Sequence, residues 1–269
     1  MPEPTFATEQ RLAFGRVAEL YDRARPSYPA AAVDAVIAFA SLTAGSRILE
    51  VGAGTGKATA LFAARGLGVL ALEPNADMAR LARINCARYP AVEVVETEFE
   101  RWTPGVELPA VVSAAAWHWI APDRRYEKAS RALVPGGALA AIWTFPDWED
   151  CALRAPLSAA YRTAPQLAPD FPMHPDSRPT RLAGEWEADI ASSPWFTAPA
   201  VRTFPWRQKY TGRQYVDLVQ THQDHILLAD APRAELLRAI LRTIDDCGGA
   251  FEMPFVTRVC LAVRSLTSL

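Results

Sequence analysis

The chain has 269 residues, half of them apolar and 22% charged, with a formal net charge of -2. That balance is ordinary for a globular chain and offers no global basic field to hold nucleic acid. No apolar run approaches the roughly 18 residues of a membrane span, and MPEPTFATEQ lacks the basic and apolar regions of a secretory leader.

Residues 8–24 place Leu12, Ala13, Val17, Leu20 and Tyr21 at helical spacing, and Pro26 ends the segment. A second helix, AAAVDAVIAFA, follows Pro29. SRILEV reads as a buried strand, and KATALFAARG as a helix closed by Gly66. GVLALE is a short apolar strand, followed by the helix NADMARLARINCARY with Asn75 as its N-cap. AVEVVETEF and PAVVSAAA read as further strands, DRRYEKASRALV as a helix. GALAAIWTF forms another strand after a turn at Pro135-Gly136-Gly137. Up to about residue 145, strands and helices alternate strictly, and the strands are apolar throughout. This predicts an α/β, doubly wound, Rossmann-like sheet with helices on both faces.

The character changes after Phe145. Prolines are frequent between Pro156 and Pro205, with Tyr161, Phe171, Trp186, Trp195, Phe196 and Phe204 among them. Two short helices, 151–163 and 181–191, fit here. The segment 148–199 reads as a helical cap inserted over the sheet rather than a second independent core. From 200 to 269 the chain returns to core-like elements: a strand near 200–207, helices near 212–222 and 231–245, and the strand PFVTRVCLAV. The Cys247-Gly248-Gly249 turn suits an antiparallel return. The expected organisation is therefore 1–147, then the cap at 148–199, then 200–269 completing the same domain. The four cysteines, Cys86, Cys151, Cys247 and Cys260, show no C-x-x-C spacing; reduced thiols and a cytoplasmic location are expected.

The chemistry centres on ILEVGAGTGKAT, residues 48–59. A glycine-rich turn after the first strand of an open sheet lies at the ligand crevice. A phosphate-binding P-loop needs G-x-x-x-x-G-K-[ST], but Ala58 follows Gly56-Lys57 and Gly52 is one residue too close. A dinucleotide fold needs G-x-G-x-x-G, and Lys57 stands where its third glycine belongs.

Glu50-Val51-Gly52-Ala53-Gly54-Thr55-Gly56 instead resembles the acid-x-G-x-G-x-G motif of class I S-adenosylmethionine-dependent methyltransferases. The resemblance implies a ligand without phosphate, with the glycine backbone beside it and Glu50 near its ammonium group. It also implies that Glu73, about 20 residues beyond the glycines, holds both ribose hydroxyls, with Pro74 and Met78 nearby. Glu98-Phe99 matches the pair that contacts the adenine edge and ring, Glu98 replacing the commoner Asp. Ala115-Ala116-Trp117-His118 lies where the fourth strand opens towards the methyl group. FGRVAELYDRARPSYP resembles the N-terminal helix of the trans-aconitate and quinone-type small-molecule group, with Tyr21 and Arg25 as cofactor contacts. Arg25 is the implied partner of the methionine carboxylate.

Two departures stand out. Ala110 occupies a position where the family often has Asp. No [NDS]-P-P-[YF] motif follows the fourth strand, which argues against methylation of adenine or glutamine side chains. A seven-stranded sheet with an antiparallel last strand is implied.

His118 and His222 are the candidate catalytic residues. His118 can act as a general base or as a donor to substrate, and His222 can face substrate from the end of a helix. His222, Asp224 and His225 in THQDH lack the third well-spaced ligand of a stable metal site, so no metal is expected. Trp117, Trp119, Trp143 and Trp148 lie near the ends of strands four and five, where they either pack the core or hold a flat or cationic substrate.

The expected activity is methyl transfer from S-adenosyl-L-methionine, leaving S-adenosyl-L-homocysteine, to an oxygen, nitrogen or carbon of a small molecule. No nucleic-acid or membrane partner is expected. Non-methylating chemistry in the same pocket, a nucleic-acid methyltransferase and a nicotinamide oxidoreductase are the alternatives.

Overall fold

A computed structural model describes residues 17–265 apart from 168, 170, 178 and 179, and the side chains of all but 180–185 among these. The helical segment expected to begin at residue 8 lies partly outside the described residues. Its described part is α1 (Ala18–Ala24).

In chain order the first half contains α2 (Ala30–Phe39), β1 (Arg47–Val51), α3 (Lys57–Ala63), β2 (Gly68–Leu72), α4 (Ala76–Asn85), β3 (Val92–Val95), β4 (Leu108–Ala114), α5 (Arg125–Ala132) and β5 (Leu133–Pro146). The second half contains α6 (Arg154–Tyr161), α7 (Thr180–Ser192), β6 (Ala200–Thr211), α8 (Gly212–Val219), α9 (Gln223–Ile226), α10 (Asp230–Asp246) and β7 (Ala250–Val263). The seven strands form one sheet in the order β3-β2-β1-β4-β5-β7-β6. β1 to β5 are parallel, and β7 runs antiparallel to both β5 and β6.

Alternation along each strand explains why the strands are apolar on both faces. Leu49, Val51, Val111, Leu139 and Ala141 face a cluster completed by Tyr126 and Ala129 of α5. Ile48, Val69, Val112, Ala140 and Ile142 face the opposite cluster with Val33 and Val36 of α2 and Phe62 of α3. A sheet covered on both faces has no solvent-exposed side to make polar, as expected for parallel strands.

Two strand boundaries differ from the sequence expectation. β3 pairs only over four residues, because the chain leaves the sheet edge after Val95 to carry Glu98 and Phe99 forward. The expected turn at Pro135-Gly136-Gly137 is absorbed into β5. Leu133 pairs with Leu108 and Ala138 with Ala110, and the residues between them form a register shift.

The cap has two attachments. Trp148, Leu157, Tyr161, Leu167 and Met173 pack with Tyr215 and Leu218 of α8, Leu236 and Ile240 of α10, and Met253 and Phe255 of β7. α7 instead lies over the α5 side, where Ile190 joins the first cluster. Asp189 accepts from Arg125 and from the Tyr126 hydroxyl, and Glu187 pairs with Arg258 of β7. All four cysteines are unpaired. Among the described residues no helix is long and apolar enough to cross a membrane.

Candidate active site

β1 has β2 on one side and β4 on the other, so the chain direction of winding reverses between β1 and β4. Ligands in open α/β sheets bind at the carboxyl ends of the strands at such a reversal. A cavity of about 330 Å³ opens there, within the size range of small-molecule sites.

The loop after β1 forms its floor. Gly52 has φ +72°, and a Cβ there would lie 2.3 Å from the Ala116 Cβ in the loop after β4. Glycine is required because the two loops touch. Ala53 and Gly54 follow along the cavity. Gly56 does not line it. Gly56 is the N-cap of α3 at φ +83°, and a Cβ would meet Ala82 and the Cys86 Sγ at 3.1 Å. It packs α3 closely against α4.

Two buried acids stand at the strand ends. The Glu73 carboxylate accepts from the Gly54 N–H at 2.8 Å and the Asn75 N–H at 2.9 Å, which ties the β2 end to the glycine loop. Asn75 in turn caps α4, accepting from the Asp77 and Met78 N–H groups. This cap fixes Pro74 and Met78, which both line the cavity. Glu50 is 1% exposed. Its Oε2 accepts from Thr59 Oγ1 at 2.6 Å, while Oε1 is buried with no partner among the described residues. Burial pushes its carboxyl up to about 7, against the Thr59 hydrogen bond and with the help of nearby Glu73.

Beyond β3, Phe99 is buried at the cavity wall and packs near-parallel to Trp102, with centroids 6.3 Å apart. Glu98 also lines the cavity, and its Oε2 pairs with the exposed Arg101 at 2.9 Å. After β4, Ala115 adopts φ +56°, a rare conformation for a residue with a Cβ. Its N–H donates to Ile142 O at 2.7 Å, and strain of this kind gathers at functional sites. Ala115 and Ala116 line the cavity, but Trp117 does not. Trp117 is fully buried among Phe99, Tyr126 and the first core cluster. Its indole supports the Phe99 wall from behind.

His118 lies at the cavity mouth. The Trp143 Nε1–H donates to its Nδ1 at 3.3 Å, which places the imidazole proton on Nε2. His118 also contacts the ring of Trp186 from α7, which stacks on Trp143 at 5.1 Å and 20°.

The opposite wall comes from α1, the α8–α9 region and the cap. Tyr21 and Arg25 both line the cavity. Arg25 donates from Nε to Thr221 Oγ1 at 2.7 Å and from Nη2 to Thr221 O at 3.0 Å, and its guanidinium lies 5.0 Å from the Tyr21 ring. These bonds draw the N-terminal helix across to α8. Burial lowers the Arg25 pKa from its usual value. α8 starts at a capping box formed by Thr211 and Gln214 and is followed by the bend that carries His222. His222 lines the cavity with a buried, unpartnered Nε2. Burial, with repulsion from Arg25 and His225, holds it well below the usual imidazole range, so the ring is neutral.

Tyr28 and Asp224 line the cavity as well and were not expected there. Tyr28 sits seven residues after Tyr21 between two prolines, the one local signal that the chain turns back to the site. Asp224 stood out in sequence only as a metal candidate. Among the described residues no three His, Cys, Asp or Glu side chains gather as metal ligands.

The strand order and the acid-bearing cavity define a class I methyltransferase fold. Residues 48–137 match the methyltransferase domain family. An uncharacterized methyltransferase of Mycobacterium tuberculosis is 37% identical over 139 residues, 52% of this chain and 55% of the relative. The trans-aconitate 2-methyltransferase of Paracidovorax citrulli is 32% identical over 124 residues, 44% of each chain. The chain thus spans about half the length of the curated relatives it matches. A solved structure assigned as a type II methyltransferase of Anaeromyxobacter dehalogenans superposes with a TM-score of 0.60 at 19% identity, over 89% of this chain and 97% of that one. A Haemonchus contortus phosphoethanolamine N-methyltransferase, solved with S-adenosylhomocysteine, gives 0.50 at 13% identity, over 96% and 58%. At these identities the structures speak for the fold.

Proposed function

We propose that the protein transfers a methyl group from S-adenosyl-L-methionine to an oxygen, nitrogen or carbon of a small molecule with an apolar or aromatic body. The observation that carries this reading is the buried, unpartnered Glu50 Oε1 beside Glu73 at the reversal of the sheet. An unpaired carboxylate oxygen in a crevice calls for a donor, and the ammonium of this cofactor is one. Glu73 keeps acceptor capacity on both oxygens for a pair of hydroxyls. Phe99 and Met78 offer flat, apolar flanks for a purine. Arg25 would meet the ligand carboxylate through Nη1, the nitrogen outside its bonds to Thr221.

When bound, the cofactor supplies a methyl carbon made electrophilic by its sulfonium. The chain's own residues then align the acceptor and exclude water. His118, protonated on Nε2 by the Trp143 contact, acts as a hydrogen-bond donor to substrate rather than as the base. His222, neutral and with Nε2 open, is the better-placed proton acceptor.

The test joins binding and chemistry. Titration with S-adenosyl-L-homocysteine should give saturable heat that NADH does not compete away. Incubation with S-adenosyl-L-methionine and a small-molecule panel should yield a product about 14 daltons heavier, one CH₂ net. Absence of binding at millimolar ligand overturns the reading. Binding with a product of unchanged mass would move the protein to non-methylating chemistry.

A further inference from the structure

The segment Thr221-His222-Gln223-Asp224-His225 has a position that the donor site does not use. It forms the break between α8 and α9, and His222, Gln223 and Asp224 all line the cavity. Three buried atoms here have no partner among the described residues: His222 Nε2, Asp224 Oδ2 and His225 Nδ1, the first two on residues that line the cavity. Asp224 Oδ2 is an acceptor, and His222 Nε2 is one when the ring carries its proton on Nδ1, so the pair suits a ligand that donates.

The carboxylate is held in place from behind. The Asp224 side chain is 6% exposed, and its Oδ1 lies 3.0 Å from His225 Nδ1, out of line for a hydrogen bond. The fully buried His225 meets the Tyr161 hydroxyl through Nε2 at 2.9 Å. Burial keeps Tyr161 protonated, and its contact with Nε2 leaves the Nδ1 side of the His225 ring turned to Asp224.

The charge balance of the cavity points the same way. Its lining carries five carboxylates, at Glu50, Glu73, Glu98, Glu100 and Asp224, against Arg25 and Lys57. Lys57 is engaged elsewhere, and Arg25 keeps only Nη1, the nitrogen assigned to the donor's carboxylate. Arg25 is bonded to Thr221, and Lys57 Nζ donates to Asp22 O at 2.6 Å and lies 3.7 Å from its carboxylate. A substrate bearing several carboxylates would meet repulsion here. Aromatic surfaces of Trp143, Phe145, Phe171 and Phe255 line the same cavity and suit a flat or cationic body.

We propose that Asp224 Oδ2 and His222 Nε2 form the substrate-recognition end of the cavity, and that they select an amine on an aromatic or apolar body and reject carboxylates. This rests on the methyl-donor reading: the neutral amine would be the methyl acceptor, its lone pair forming the N–CH₃ bond as the sulfonium S–CH₃ bond breaks to leave S-adenosyl-L-homocysteine, and its N–H proton would pass to His222 Nε2. An amine N–H donates to Asp224, and a second N–H meets the neutral His222.

The test uses the full chain saturated with S-adenosyl-L-homocysteine and two probes of matched shape, phenethylamine and 3-phenylpropanoate. Calorimetry and thermal shift should show the amine binding at least about tenfold more tightly, a difference of about 1.4 kcal/mol. Asp224→Asn should remove that preference. Equal or tighter binding of the carboxylate overturns the proposal, as does failure of the amine to bind at about 10 mM. An Asp224→Asn protein that folds and still prefers the amine overturns it too. If that variant does not fold, the preference of the wild-type protein and of His222→Gln decides. Failure of S-adenosyl-L-homocysteine itself to bind is a separate result, because it removes the donor reading on which this one stands.

Discussion

The floor of the cavity and the wall opposite it are held by different forces. The floor is backbone: loops after β1, β2 and β4, pinned by the Gly52–Ala116 contact and by N–H bonds to Glu73. The wall is side chains from distant segments: Arg25 on Thr221, Trp186 on Trp143, and α7 tied down by Asp189 and Glu187. A backbone floor tolerates no change of shape. A side-chain wall can be rebuilt residue by residue, so one fold can keep a single donor site and vary its acceptor.

The sharpest way to break that contrast is at Gly52. Gly52→Val adds a side chain where a single Cβ already clashes at 2.3 Å and where φ is positive. Overpacking and left-handed strain together should cost about 2–5 kcal/mol, read by denaturant unfolding. S-adenosyl-L-homocysteine binding should be lost with it. A stable variant with unchanged affinity would show that the floor is not rigid.

The counterpart on the wall is Asp189→Ala. It leaves Arg125, 6% exposed, without its carboxylate. Removing one partner of a buried pair costs about 3–5 kcal/mol; Asp189 is itself partly solvated, so about 2–3 kcal/mol is expected here. The melting temperature should fall while S-adenosyl-L-homocysteine affinity stays within about twofold, since additivity holds for separated sites. A large loss of affinity would merge the two regions into one unit.

Glu50 gives an effect of opposite sign. Its carboxyl is raised to about 7 in the folded protein from an ordinary value near 4.5. Between those values the folded chain binds a proton that the unfolded chain does not. Its stabilising contribution is therefore complete below about pH 4.5 and lost as pH rises through 7. Glu50→Gln should stabilise the ligand-free protein at pH 8 by about 1–3 kcal/mol while weakening S-adenosyl-L-homocysteine at least about tenfold. In the wild type that affinity should fall as pH drops from 8 to 6, because protonation removes the anion facing the ammonium. Melting curves and titrations across this range check both signs.

The smallest effect is expected at Ala115. Ala115→Gly relieves the φ +56° strain but adds backbone entropy to the unfolded chain, so stability should change by less than about 1 kcal/mol. A loss beyond 2 kcal/mol would mean that the Ala115 methyl group packs rather than strains.

The same contrast governs what was legible in the sequence. The floor is local: glycine spacing, an acid two residues before the first glycine, and an acid at the end of the next strand all sit within 26 residues. Alternation of apolar strands and capped helices gave the sheet for the same reason. That Gly56 and Trp117 stand behind the cavity lining was not legible, because a motif shows order along the chain but not which side of a loop faces the cavity. Tyr28 and Asp224 escaped because their place depends on α1, α8 and α9 meeting across nearly 200 residues, as in the Arg25–Thr221 bonds. No periodicity records such a contact. The cap's attachment by Asp189 and Glu187 was hidden similarly, since charged residues on a helix read as its solvent face.

The account turns on the two acids at the strand ends. A calorimetric titration of wild type and Glu73→Ala with S-adenosyl-L-homocysteine at pH 8 tests them most directly. The account predicts one saturable site in the wild type and at least about a thirtyfold loss in the variant, about 2 kcal/mol. No saturable heat in the wild type, or equal affinity in the two proteins, would contradict it.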